Sequence, residues 1–225
     1  MQRQRHNKEK VVLGITGSFG SGKTTVARIF QSFGAKIIDA DRIAHRVIKP
    51  GRPIYKKIIN IFDKDVLNKN RTINRHRLAK IVFNNKNLLK RLNKIIHPQV
   101  IRIIKTKIKT TRAKVIVLDA PLLIEARLKN LVDKLIVVKI DRAKQIERLI
   151  KKTSLSKKDT LKRIRHQMPL ADKVRLADFV IDNSGSIGRT KKQVERFFQK
   201  LNQCNRKNRK GAGEKFSPGF RGNSE

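Results

Sequence analysis

The sequence predicts an α/β fold with a central parallel sheet. Three observations carry this. Short apolar, β-branched runs alternate with segments of helical periodicity. The runs 114–119 (KVIVLD) and 134–140 (KLIVVKI) are almost continuously apolar, as strands covered on both faces are. Residues able to bind or react follow the ends of the strand-like runs, and in such folds those ends share one edge of the sheet.

Residues 11–16 (VVLGIT) read as a buried strand. A glycine-dense loop follows, then Val26, Ile29, Phe30 and Phe33 at helical spacing, with Gly34 as the stop. Residues 35–39 (AKIID) form a second strand ending in Asp39-Ala40-Asp41, and Pro50-Gly51-Arg52-Pro53 marks a break. From residue 52 to residue 184 there is no glycine. Within that span, residues 54–110 read as helical, an insertion too long for an ordinary crossover. Leu88, Leu92 and Ile95 space as one helix and Val100, Ile104 and Ile108 as another, with Pro98 expected to cut between them. After the strands at 114–119 and 134–140 come a basic helical segment (142–168), a last strand (178–182, DFVID), a turn at Asn183-Ser184-Gly185, and an amphipathic helix carrying Val194, Phe197, Phe198 and Leu201. The expected plan is a polar tail (1–10), one domain (11–201) holding a helical insertion (about 54–110) and a lid (about 142–175), and a basic, disordered tail (202–225).

Lys and Arg total 56 against 17 Asp and Glu, a formal charge of +39. Such an excess attracts polyanions. The cations are spread along the whole chain, however, and residues that stack on bases are scarce, with no Trp and Tyr55 as the sole Tyr. Solvated basic faces are the favoured reading, and nucleic acid enters only as a non-specific partner through charge. Cys204 is the one cysteine, so no intrachain disulfide is available. No apolar run reaches the roughly 20 residues of a membrane span. The stretch MQRQRHNKEK does not read as a secretory signal. A soluble cytoplasmic protein is expected.

Gly17-Ser18-Phe19-Gly20-Ser21-Gly22-Lys23-Thr24 satisfies G-x-x-x-x-G-K-[ST] in full, with a strand before it and a helix after, Thr25 lying in that helix's first turn. The glycines let backbone N–H groups turn inward around a phosphate, and the helix adds its positive end. Lys23 can reach the β- and γ-phosphates, and the Thr24 hydroxyl can ligate Mg²⁺. The loop predicts a three-layer P-loop NTPase-type fold that binds ATP or GTP with Mg²⁺.

A carboxylate beside the γ-phosphate can take a proton from an attacking hydroxyl. Asp39 and Asp41, at the end of the second strand, offer two; in an extended chain both would point the same way. Asp39 reads equally as a cap for the next helix, so Asp41 is the better base for a kinase of a small hydroxyl substrate. Asp119, ending the third strand, either holds Mg²⁺, directly or through water, or closes a strand-end turn. The cations between Gln145 and Gln167, among them Arg148, Lys152 and Arg163, form either a lid over the transferring phosphoryl group or an ordinary solvated basic helix.

With the segments GITGSFGSGKTTVA, IDADRIAHRVIKPG, NRHRLAKIVF, IIHP, LDAPLLIE, QIERL, RIRHQ and ADFVIDNSG in this order, the chain resembles the dephospho-CoA kinases from about residue 11 to residue 200. Many nucleotide-binding enzymes share the glycine loop; the DAD…PG segment, IHP and DAPLLIE together are far more specific. The resemblance implies transfer of the ATP γ-phosphate to the 3′-hydroxyl of the dephospho-CoA ribose. It implies that Asp41 is the base, that Lys23 and Gly20–Thr25 take the ATP phosphates, and that the helical insertion binds CoA. Arg75 and His97 would lie near that substrate, and the turn around Asn183 beside the adenine. His97, which precedes Pro98, reads equally as structural. His6, His45, His76 and His166 show no ligand spacing and receive no role. Three positions depart from the family pattern. Lys152 stands where Q-x-x-R-L-x-x-R ends in Arg, keeping the charge without the planar fork, so Arg148 or Arg163 is an alternative lid cation. Asn74 replaces a usually acidic residue, and Ser18 replaces a frequent glycine. A kinase of another nucleoside-like compound and a basic nucleic-acid-binding NTPase are the competing readings.

Overall fold

The β-branched and leucine-rich runs become five strands: β1 (Val11–Gly17), β2 (Lys36–Asp39), β3 (Val115–Asp119), β4 (Lys134–Lys139) and β5 (Phe179–Asp182). The computed structural model describes residues 10–126, 128–152, 160–161, 164–165 and 167–210. The helices are α1 (Lys23–Ser32), α2 (Ala40–Val47), α3 (Pro53–Phe62), α4 (Arg75–Phe83), α5 (Lys86–Thr110), α6 (Arg142–Lys152), α7 (Leu170–Arg175) and α8 (Ile187–Lys210). The sheet order is β2-β3-β1-β4-β5. β1 runs parallel to β3 and to β4, and β4 runs parallel to β5. In register, Ile15 faces Asp119, Gly17 faces Val138, and Lys139 faces Asp182. The chain thus leaves β1, β3, β4 and β5 at the same edge, the edge where ligands bind in open α/β sheets.

The chain divides into two compact units, one made of Met1–Ile37 with Arg112–Glu225, the other of Ile38–Thr111. In the first, the central strands bury Leu13, Ile15, Val117, Ile136 and Val138 completely. The face of α1 formed by Val26, Ala27 and Phe30 packs into the same core as Val194, Phe197 and Phe198 of α8. Phe30 sits 5.8 Å from Phe197 and 5.5 Å from Phe198, and Phe179 lies 5.0 Å from Phe197, ring centre to ring centre. With no tryptophan in the chain, this phenylalanine cluster supplies the bulky apolar contacts that aliphatic side chains cannot.

In the second unit, α2, α3 and α4 all pack against α5. Ile43, Ile54, Ile58, Leu78, Val82 and Ile104 are buried there. Asparagines start two of its helices: the Asn74 side chain accepts from the Arg77 N–H at 3.0 Å, and Asn85 from those of Asn87 and Leu88. Asn74 therefore does at the head of α4 what an Asp would do, since the two are about equally good caps.

Three expectations are corrected. Pro98 does not separate two helices; α5 runs unbroken from Lys86 to Thr110 with Pro98 inside it. A proline there costs about 3 kcal/mol in lost hydrogen bonding and clash. Burial of Leu92, Val100, Ile104 and Ile108 on either side of it opposes that cost. Both Pro98 and Lys94, whose carbonyl loses its donor, are exposed, so water can satisfy the orphaned oxygen. The last helix continues to Lys210 instead of giving way to disorder at Asn202. Residues 202–210 contain no Gly or Pro and several good helix formers, and Gly211 follows; residues 211–225 lie outside those described. Finally, β2 ends at Asp39 and α2 begins at Ala40, so the strand-parity argument that paired Asp39 with Asp41 does not apply.

Phe30 is fully buried at the centre of the aromatic cluster. Phe30→Ala is expected to cost about 3–5 kcal/mol, measured as a lowered urea midpoint with an unchanged m-value.

Candidate active site

The phosphate loop is shaped by one crowded contact. Gly22 is the N-cap of α1 and lies in the left-handed region, φ +86°. A Cβ at this position would stand 2.0 Å from Asn183 Nδ2. That amide donates to the Ser21 carbonyl at 2.9 Å, and Asn183 Oδ1 accepts from the Thr190 hydroxyl at 3.0 Å. Asn183 is 5 % exposed, and its backbone N–H donates to the Lys139 carbonyl at 2.9 Å. Its backbone carbonyl in turn accepts from Arg148 Nη1 at 3.0 Å. Asn183 therefore braces the loop and the start of α8 with both ends of its amide, a task that the sequence did not assign to it. Arg148, a lid candidate, spends one guanidinium hydrogen on the same turn.

The rest of the loop is held as closely. Gly20 has φ +78°, and the space beside it is taken by Leu149 of α6, 2.6 Å from where a Cβ would sit. The Lys23 ammonium donates to the carbonyls of Gly17 (3.2 Å) and Ser18 (3.0 Å), which keeps its charge against the loop. Ser18 and Ser21 are buried, and Thr24 is exposed in the first turn of α1. N–H groups at a helix start suit an anion.

Asp119 ends β3, in register with Ile15 of β1. The chain after it is pinned by a residue to which the sequence assigned nothing. Lys173 of α7 is fully buried; its ammonium donates to the Pro121 carbonyl at 3.0 Å and pairs with Glu125 at 2.9 Å. The Thr16 hydroxyl of β1 reaches the same carbonyl at 3.0 Å. Gln145 and Gln167 also received no role, yet both bond the loop at Phe19. Of the other lid candidates, the Lys152 side chain and Arg163 lie outside the described residues.

In the Ile38–Thr111 unit, Asp39 is the N-cap of α2 and accepts from the Arg42 N–H at 2.8 Å. Its capping alternative is the one realised. Asp41 is exposed in the first turn of the same helix, where a negative charge complements the positive end. His45 lies one turn further on the same face, and its Nε2 meets the guanidinium of Arg75, the first residue of α4. Arg75 is thus brought to α2, and His45, given no role from the sequence, is its partner. His97 sits in mid-α5, and partial burial holds its imidazole below the ordinary value of 6.5.

Mg²⁺ takes hard oxygen ligands and keeps several waters. The Thr24 hydroxyl and the Asp119 carboxylate are such donors, at the carboxyl edge of neighbouring strands. Among the described residues no group of three or more His, Cys, Asp or Glu is gathered as a metal cage. The donor set therefore fits a magnesium ion that shares its coordination with nucleotide phosphates. Among the same residues, no helix is long and apolar enough to cross a membrane.

A phosphate loop at the head of α1, on the central strand of a parallel sheet, places this chain among the P-loop nucleotide-binding folds. Comparison with known proteins narrows the class. The family model for dephospho-CoA kinase matches residues 11–189. The dephospho-CoA kinase of Carboxydothermus hydrogenoformans is 47 % identical over 192 residues, 84 % of this chain and 93 % of that one. That of Bacillus thuringiensis subsp. konkukian is 41 % identical over 196 residues, covering 85 % and 98 %. The solved dephospho-CoA kinase of Campylobacter jejuni superposes with a TM-score of 0.63 at 29 % identity, covering 86 % of this chain and 98 % of its own. A solved Thermus thermophilus protein gives 0.78 at 27 % identity with the same coverage. The chain belongs to the dephospho-CoA kinase family and is a phosphotransferase with an alcohol group as acceptor.

Two outcomes are expected. Gly22→Ala, strained at φ +86° and clashing with Asn183, weakens ATP binding by at least about tenfold, read by calorimetric titration. For His97, the lowered folded value means that the unfolded chain binds a proton the folded one does not. Stability is therefore present above the ordinary value of 6.5 and is lost as pH falls through it. Urea midpoints measured down the acid range fall for the native chain and fall less for His97→Gln.

Proposed function

We propose that this chain transfers the γ-phosphoryl group of ATP to the 3′-hydroxyl of the dephospho-CoA ribose, giving coenzyme A and ADP. The observation that carries this is the phosphate loop: Gly22 held in the left-handed region by Asn183, with Lys23 folded against the loop carbonyls, in a chain whose match to the dephospho-CoA kinases runs through residues 11–189.

Each step has a residue. The N–H groups of Gly20 to Thr25 receive the ATP phosphates, and the Lys23 ammonium moves from the loop carbonyls to the β- and γ-oxygens. Asp41, exposed at the start of α2, orients the acceptor hydroxyl and takes its proton as the oxygen attacks. A new P–O bond forms to that oxygen, and the bond from the γ-phosphorus to the β,γ-bridging oxygen breaks, so that ADP leaves with the electron pair. Thr24 and Asp119 would hold Mg²⁺, which when bound neutralises charge on the phosphates. Arg75, aligned by His45, supplies a cation to the phosphates or ribose of the CoA moiety, as guanidinium forks do. Positioning and charge neutralisation supply most of the rate in such transfers.

ADP release measured with purified chain, ATP and Mg²⁺ should be stimulated by dephospho-CoA, with a product one phosphoryl group heavier by mass. Asp41→Asn should leave ATP binding nearly intact and lower turnover by about 10²- to 10⁴-fold. A near-normal rate in that variant removes Asp41 as the base.

A further inference from the structure

We propose that Gln145 and Gln167 are positioning residues for phosphoryl transfer, acting through the two peptide groups that flank Phe19 in the phosphate loop. The inference rests on the kinase reading above. The Phe19 N–H donates to Gln167 Oε1 at 2.7 Å, and the Phe19 carbonyl accepts from Gln145 Nε2. The same Gln145 nitrogen donates to the Ser18 hydroxyl at 2.8 Å, and Gln145 Oε1 accepts from Arg142 Nη1 at 3.1 Å. Gln145 is 2 % exposed and Ser18 4 %. The Gln145 amide therefore has a partner for its oxygen and for both nitrogen hydrogens. Its orientation is fixed, because turning it over would set its oxygen against the Phe19 carbonyl.

These two peptides matter because of what adjoins them. Gly20 follows directly and turns the chain into the N–H groups that face phosphate. The Ser18 carbonyl just before Phe19 is one of the two on which the Lys23 ammonium rests. Rotating the Ser18–Phe19 peptide, which Gln167 holds, would therefore move the oxygen that holds Lys23, and rotating the Phe19–Gly20 peptide, which Gln145 holds, would re-aim the loop. Gln167 carries a second link. The N–H of the next residue, Met168, donates to Glu125 Oε1 at 3.2 Å, and Glu125 pairs with buried Lys173, which holds the Pro121 carbonyl just beyond Asp119. One dipeptide, Gln167-Met168, thus ties the phosphate loop to the loop that follows Asp119. A displacement of about 1 Å between reacting groups can cost on the order of a hundredfold in rate.

The two glutamines have opposite polarity, which makes the inference testable. At position 167 the loop needs an acceptor, and at 145 it needs a donor. Full-length Gln167→Leu, Gln167→Glu, Gln145→Leu and Gln145→Glu would be compared with the native chain for kcat and for KM towards ATP and dephospho-CoA. Folded fraction at the assay temperature and the rise in melting temperature on adding ATP and Mg²⁺ would be measured on the same samples. Gln167→Leu should lose about ten- to a hundredfold in kcat, and Gln167→Glu, which still accepts, should restore most of it. Gln145→Glu should fare no better than Gln145→Leu, since a carboxylate cannot donate to Phe19. KM for dephospho-CoA should stay within about threefold of native, because both amides act on the loop that takes ATP. The ATP-induced melting shift should follow the same order, and it reports the loop whether or not dephospho-CoA is the acceptor. Wild-type kcat and melting shift in Gln167→Leu would overturn the inference. So would a Gln167→Glu variant as poor as Gln167→Leu, or losses that vanish once rates are scaled to folded protein. A native chain that shows the ATP shift but no turnover with dephospho-CoA would overturn the choice of acceptor and leave the order of melting shifts to decide the glutamines.

Discussion

Between Gly22 and Asn183 there is no room for a carbon atom. A Cβ would lie 2.0 Å from the Asn183 amide nitrogen, and much of the site follows from that contact. Close approach lets the amide reach the Ser21 carbonyl at the point where strand becomes helix. It also ties the mouth of β1 to the end of β5. These two strands are not neighbours; β4 lies between them. The loop is thus braced from the centre of the sheet to one edge, not merely strung between its own strand and helix. Because β1, β4 and β5 are in parallel register, the ends to be braced lie level. The sheet order is in this sense a condition for the loop's shape.

What could be read along the chain was what is local. All five strands appear as short apolar runs, and the phosphate loop as a pattern of residue types within a few positions. Binding chemistry of this kind is carried by backbone and by spacing, and a sequence displays both. The bracing was not legible in the same way. Asn183 meets Ser21 across 162 positions, Gln167 meets Phe19 across 148, and Gln145 meets Ser18 across 127. No periodicity encodes such pairs. Lys173 is the plainest case. A lysine in a strongly cationic chain is expected in solvent, and nothing around it in LADKVR signals that Glu125 and a carbonyl wait for it in the interior. Pro98 was misread for a related reason. Local stereochemistry argues for a break there, and packing on both sides outweighs it.

The charge of the chain has a structural side as well. α5 has no Asp or Glu in its whole length, and its cations are exposed. It cannot draw on the opposite-charge pairs one turn apart that stabilise isolated helices. Like charges along it repel instead. Its persistence over Lys86–Thr110 is thus the work of the buried stripe and of α2, α3 and α4 packed around it. Elsewhere the chain uses its few acids sparingly and to effect. Asp39 caps α2, Asp133 accepts from the Val12 N–H, Asp178 from the Leu135 N–H, and Glu125 meets the fully buried Lys173. Acids placed on backbone donors at strand and helix ends contribute more than surface ion pairs do.

The brace at Asn183 has a bearing on how the chain comes into being. Ser21 of the glycine loop leaves the ribosome 162 residues ahead of Asn183, and the anchor Thr190 comes later still. Chains fold from the N-terminus as they are made, yet β1 needs β3 and β4 on its flanks, and the loop needs the turn after β5. A growing chain therefore carries its nucleotide loop through the next 162 residues of synthesis without the amide that sets its shape. The loop is completed long after it is written, and a chain cut short before Asn183 would hold every residue of the glycine loop without the means to shape it.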